Sequence, residues 1–195
     1  MIEQKSFPIY KPLAIVIGTS AGGVEALTKI FIGLRAGFSI PILVVQHISP
    51  SSDSYLPKHL NRLTTVSVNE AIDKTSIEEF NAYLAPPNYH MLVEEDRTIS
   101  LTVDEKVSYA RPSIDVLFET ASRAYGRNLL GVIMTGANAD GASGSKLLRE
   151  MGGFLVVQDP KSAHISTMPE AALQLAGADY VTNLEGIIEF LNQLK

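Results

Sequence analysis

Three polar residues stand where apolar runs of this sequence end, and their types are those of acyl-transfer chemistry. The first lies in Gly18-Thr19-Ser20-Ala21-Gly22-Gly23. A serine there would sit at a helix N-terminus, where free N–H groups and the helix dipole favour negative charge. Those donors could hold a tetrahedral oxyanion beside a serine nucleophile. Two other uses stay open: Ser20 could cap the helix, or the loop could bind a phosphate. A dinucleotide fingerprint would instead place glycine at the Ser20 position and an acidic residue about 20 residues on. The next apolar run ends in Gln46-His47. His47 could take a proton from serine and return it to a leaving group, its unperturbed pKa lying near 6.5. It could equally be an ordinary loop histidine. An orienting acid completes such a set. Asp140, in the glycine-flanked turn from Thr135 to Ala142, is favoured over Asp159 in Gln158-Asp159-Pro160, although either could serve only as a cap or turn residue. His59 lies in a polar helical stretch, and His90 and His164 close no central strand.

The elements that must position these residues are legible as patterns. Residues 13–17 (LAIVI), 42–46 (ILVVQ), 129–134 (LLGVIM) and 154–158 (FLVVQ) are short and rich in β-branched residues, as buried strands are. Helical patterns follow them. One helix carries Val24, Leu27, Phe31 and Leu34 on a face; a second is capped by Ser113 and ended by Gly126. A helix also follows Gly141, Pro169 suits a further helical start, and Asn183 can cap the last helix. Alternating strands and helices predict an α/β fold, doubly wound, with a mainly parallel sheet covered by helices on both faces. Residues 89–103 alternate differently and flank Glu95-Asp96-Arg97, so they predict an antiparallel hairpin at the sheet edge. No glycine occurs from Phe38 to Tyr125, while glycines gather at the ends of the predicted strands. Ligand sites of open α/β sheets lie outside those carboxyl ends. Consecutive strands joined by one helix often neighbour one another, which would set Ser20 and His47 on one rim.

Composition bounds the rest. The 195 residues suit a single domain over 1–195, with its core at about 13–194. No cysteine is present, which excludes a disulfide scaffold, thiolate metal sites and a cysteine nucleophile. The histidines show no i,i+4 spacing with carboxylates, so neither a metal nor another cofactor is expected. A net charge of −5 argues against nucleic acid as a partner. No apolar run approaches the roughly 18–20 residues of a membrane span, and no signal-peptide core is visible. A cytoplasmic protein without membrane insertion is expected.

The motifs together carry a resemblance. The glycine loop around Ser20, Val45-Gln46-His47 and Met134-Thr135-Gly136 through Asp140-Gly141-Ala142 resemble the catalytic domain of CheB-type chemotaxis methylesterases. Ala85-Pro86-Pro87 with His90, Arg111-Pro112-Ser113-Ile114-Asp115, Gln158-Asp159-Pro160 and Met168-Pro169-Glu170 extend it over nearly the whole chain. The resemblance implies a doubly wound α/β fold and hydrolysis of glutamate γ-methyl esters on chemoreceptors, with glutamine deamidation in some members. It implies Ser20 as nucleophile, His47 as general base and Asp140 as orienting acid. The partner it implies is a methylated chemoreceptor or other methyl-accepting protein. Such proteins usually carry a receiver domain whose phosphorylation relieves inhibition. So little precedes the first strand here that control in cis is expected to be absent, leaving a separate receiver domain as a candidate partner. Two departures concern the oxyanion and substrate contacts. Ala21 stands where the family often has threonine, and Ala137-Asn138 where Met-Gly is common. The Ala21 N–H can still serve an oxyanion, whereas the second change bears on the pocket wall and on a second donor. Two competing readings are a nucleotide- or phosphate-binding module using residues 18–23 and a non-catalytic signalling scaffold.

Overall fold

The computed structural model describes residues 10–47 and 55–194. Its centre is a parallel sheet built on β1 (Ala14–Thr19), with β2 (Ile42–Gln46) on one side and β7 (Leu129–Ile133) on the other. Beyond β2 come β4 (Asn81–Leu84) and then β3 (Ser67–Glu70); beyond β7 come β8 (Phe154–Gln158) and β9 (Tyr180–Thr182). The sheet order is therefore β3-β4-β2-β1-β7-β8-β9. The chain leaves β1 toward β2 but leaves β7 toward β8. The order thus reverses between β1 and β7, which is the switch point where an open α/β sheet offers a crevice.

Helices cover both faces, as predicted. α1 (Gly23–Gly33) and α6 (Leu184–Gln193) bury Leu27, Ile30, Phe31, Ile187, Phe190 and Leu191 against Ile15, Ile17, Val44 and Val132. The opposite face, carrying Val16, Leu43, Val45 and Ile133, is covered by α3 (Ile114–Tyr125), α4 (Ala142–Glu150) and α5 (Thr167–Ala176). A strand buried on both sides has no polar alternation to preserve, which is why its sequence reads as a continuous apolar run. Ser113 and Asn183 do cap α3 and α6, accepting from Val116 N and Gly186 N. The stripe of α1 that faces the sheet is Ala26, Leu27, Ile30 and Phe31, while Val24 is 49% exposed. Val24 falls in the first turn, on the outer side of the start of α1.

The antiparallel hairpin forms from β5 (His90–Val93) and β6 (Ile99–Thr102), but its placement corrects the expectation of a sheet-edge position. It is a separate two-stranded ladder, and the edges of the main sheet are β3 and β9. Met91, Val93 and Ile99 join the core cluster of α3, so their burial against a helix wins over lengthening the main sheet. The remaining α-helix, α2 (Tyr55–Asn61), lies between β2 and β3 in chain order.

Phe118 is fully buried on α3 and sits against the Cα positions of Gly131 and Gly144, both too crowded to accept a Cβ. Phe118→Ala is expected to destabilise the fold by about 3–5 kcal/mol, read as a lowered urea midpoint.

Candidate active site

The loop after β1 is built from backbone. Ser20 N donates to Thr135 O at 2.9 Å, and Gly23 N donates back to Ser20 O at 2.8 Å, closing a tight turn. Gly22 caps α1 at φ +80°, a left-handed conformation, and a Cβ there would also collide with His164. No side chain caps α1, and among the described residues the Ser20 hydroxyl makes no hydrogen bond. Nothing in this geometry uses Ser20 as a cap.

The strand register brings in the second residue. Thr19 pairs with Gln46, so Ser20 and His47 leave neighbouring strands side by side. His47 N donates to Thr19 O at 3.1 Å. Gln46 reinforces the join, its Nε2 donating to Ser20 O at 2.9 Å and His47 O at 2.8 Å.

Asp140 comes from across the switch point. Its side chain is 0% exposed, and its Oδ2 accepts from His47 Nε2 at 2.8 Å. A carboxylate only accepts, so the imidazole proton of neutral His47 lies on Nε2. Nδ1 then faces the cleft as the acceptor, at 3.3 Å from Asn138 Nδ2. Asp140 also receives Ile114 N at 2.7 Å, Asp115 N at 3.0 Å and Ser113 Oγ at 2.8 Å. Burial alone would push its carboxyl up; the bonds from His47, the α3 N–H groups and Ser113 hold it below the usual carboxylate range.

Asp115 returns the arrangement. From the first turn of α3 its Oδ1 accepts Gly141 N at 2.9 Å and Gly144 N at 2.8 Å, capping α4. Each helix therefore has its first turn held by an aspartate from the other's neighbourhood. Burial pushes Asp115 up to about 6, against the Gly144 bond, and the Asp140 charge adds to the rise. Ser113 links outward too: its N–H donates to Nδ1 of buried His90 at 3.2 Å, whose Nε2 donates to Glu105 O at 3.0 Å.

Ser20, His47 and Asn138 line one cleft of about 280 Å³, walled by Lys106, Tyr109, Ala110, Arg111 and Pro112. Asp140 lies behind His47. His47 and Asp140 are thus hydrogen-bonded, whereas Ser20 shares the cleft without a bond to His47. Ala21 is half-buried in the turn beside Ser20, and Ala137 is exposed and does not line the cleft. Asp159 serves the turn after β8, accepting from Lys161 N at 3.0 Å. His59 stacks on Tyr55, with ring centroids 5.5 Å apart. His164 lines a different cleft with Gly22, Glu25 and Lys29. Among the described residues no group of three or more His, Asp or Glu is arranged to hold a metal ion.

Sequence reasoning assigned Ser113 only as a cap and passed over Asp115 and Gln46 as site residues. A Ser-x-Asp at a helix start signals capping, but its partner 25 residues further on is visible only in three dimensions.

Fold and site together define a class: a parallel α/β domain with an imidazole–carboxylate pair and a hydroxyl at its switch point. The model of the CheB methylesterase family matches residues 15–191. A Leptospira interrogans protein, provisionally named a protein-glutamate methylesterase/protein-glutamine glutaminase, is 49% identical over 93% of this chain and 94% of its own length. A Rhodospirillum rubrum protein-glutamate methylesterase/protein-glutamine glutaminase 1 is 37% identical over 93% of this chain, which spans 48% of that relative. The crystal structure of the Thermotoga maritima CheB methylesterase catalytic domain superposes with a TM-score of 0.88 at 28% identity, covering 94% of this chain and 98% of the other. The chain belongs to the CheB methylesterase family and is, by that membership, an enzyme.

The Asp115 carboxyl generates a test of pH-dependent stability. Its folded pKa of about 6 exceeds the ordinary aspartate value of 3.8, so the folded state holds the extra proton between these limits. That contribution is full below about pH 4 and is lost as pH rises through about 6. Asp115→Asn keeps the Oδ1 acceptor and removes the titration. Its stability relative to wild type is expected to rise by up to about 2 kcal/mol between pH 4 and 7. Asp115→Ala leaves two N–H groups unpaired and should cost about 2–3 kcal/mol near pH 4, a cost that shrinks as pH rises because only wild type loses the Asp115 contribution. Urea denaturation across this pH range reads both; a constant Asn-minus-wild-type difference would mean that Asp115 does not titrate there.

Proposed function

We propose that this chain hydrolyses glutamate γ-methyl esters on a chemoreceptor or another methyl-accepting protein, with Ser20, His47 and Asp140 as nucleophile, general base and orienting acid. The observation that carries the reading is the His47–Asp140 hydrogen bond, which leaves Nδ1 of the imidazole facing the cleft that Ser20 lines. Family membership and the names of the relatives support the substrate class.

In this reading Ser20 Oγ attacks the ester carbonyl while His47 Nδ1 takes its proton. The carbonyl π pair becomes an oxyanion, and the Ala21 N–H at the start of α1 donates to it. Collapse expels methanol, which receives its proton from His47. Water, deprotonated by the same nitrogen, then cleaves the acyl-enzyme to free the glutamate carboxylate and restore Ser20. Asp140 stays ionised throughout, because its four donors favour the charged form, and so it stabilises the transient imidazolium. The same sequence acting on a glutamine amide releases ammonia, matching the glutaminase half of the relatives' names.

Methanol release from a peptide bearing a glutamate γ-methyl ester measures the activity. Ser20→Ala is expected to lower kcat about 10⁶-fold while circular dichroism and the urea midpoint stay near wild type. A fluorophosphonate probe should label wild type and not the variant. Retention of most hydrolysis by Ser20→Ala would overturn the assignment.

A further inference from the structure

A serine esterase needs a second donor for its oxyanion, and the cleft offers few. Ala137 has no polar side-chain atom and does not line the cleft, so its backbone N–H is not among the groups that face it. Arg111 has its Nη1 committed to Val103 O at 2.6 Å and Asp104 O at 2.8 Å, and its unpartnered Nε is buried away from the open cleft. Lys106 stands on an exposed stretch of the outer wall. Asn138 is different. Its amide orientation is set by Oδ1, which accepts from Asp140 N at 3.2 Å, so the NH₂ end faces His47. Nδ2 lies 3.3 Å from Nδ1, the one imidazole nitrogen not committed to Asp140.

That position has two consequences. In the resting protein the amide covers the lone pair that Ser20 needs, and the Ser20 hydroxyl is left without a hydrogen bond among the described residues. When Ser20 Oγ gives its proton to Nδ1, it must come within hydrogen-bond reach of that nitrogen and displace the amide. The oxygen that becomes negative is then bonded to the carbon next to Oγ, within the cleft that Ser20, His47 and Asn138 line together. A side-chain amide has two N–H donors, so the hydrogen released from Nδ1 has a new acceptor nearby.

We propose that Asn138 is a catalytic residue of this site: its Nδ2 masks His47 in the resting protein and passes to the oxyanion when Ser20 claims the imidazole. This inference rests on the esterase reading given above. No net proton moves through Asn138; one hydrogen bond is exchanged for another as charge develops, so the gain appears in the transition state and not in substrate binding. Asn138 also marks a departure from the Met-Gly pair common at Ala137-Asn138, so the donor is a feature of this chain's own sequence.

The test uses Asn138→Ala and Asn138→Asp, with Ser20→Ala as the control. Asn138→Ala is expected to lower kcat about 10²–10³-fold with KM little changed, and to slow fluorophosphonate labelling of Ser20 in parallel. Asn138→Asp keeps the acceptor for Asp140 N but puts negative charge where the donor stood, so it should be at least as impaired as the alanine variant. If the only role of Asn138 were to hold the turn, the aspartate variant would retain near wild-type turnover, and that result would overturn the proposal. So would an alanine variant with unchanged or raised kcat. Should Asn138→Ala fail to fold, the aspartate variant decides alone. Hydrolysis surviving in Ser20→Ala would instead bring down the esterase reading itself.

Discussion

Asp140 is a carboxylate with no access to water, and the site is arranged around keeping it charged. Burying an uncompensated charge would cost many kcal/mol, so an aspartate with no partners there would hold its proton. Four donors prevent this: two backbone N–H groups at the start of α3, the Ser113 hydroxyl and the His47 imidazole. Three of them belong to the framework and do not depend on His47. The carboxylate is therefore ionised and aimed before the imidazole arrives, and His47 takes up a geometry that is already set.

This compensation ties two helices together. Asp140 precedes α4 and closes the first turn of α3, while Asp115 on α3 closes the first turn of α4. Neither cap can be lost without loosening the other, because each aspartate is held by the backbone of the segment it stabilises. The two carboxyl groups also sit close enough to compete for charge, and the structure resolves the competition in one direction. The group with more donors, and with the imidazole, is held low; the other is held up at about 6. The tight packing of Gly144 against Phe118 and the Asp115 backbone makes this proximity possible, since a Cβ there would push the helices apart.

Much of this was legible in the sequence, and the limits have physical causes. The four long apolar runs became β1, β2, β7 and β8 because central strands are dry on both faces. β3, β4 and β9 were not seen, since SVNE, NAYL and YVT are three- or four-residue pieces, too short to show a strand period. Alternation revealed the hairpin but not its location: period two says that one face is buried, not against what. Ser20, His47 and Asp140 stood out because the strand ends and glycines marked where a loop must turn. The roles of Ser113, Asp115 and Gln46 did not, because a cap and a cap that also holds a second helix look the same in one dimension.

The cleft wall has a root and a tip, and the two are under different obligations. Its root is hung from the buried network: Ser113 gives its hydroxyl to Asp140 and its N–H to His90, which in turn holds Glu105 O. Arg111 staples the same stretch through Val103 O and Asp104 O. Its tip is a short bridge between Val107 and Ala110, with Ser108 and Tyr109 both left-handed and Tyr109 98% exposed. Nothing buried depends on that tip. The part of the wall that an incoming chain meets first can therefore be rewritten freely, while the part that fixes the acid cannot. Substrate preference in such a scaffold can drift without re-tuning its chemistry.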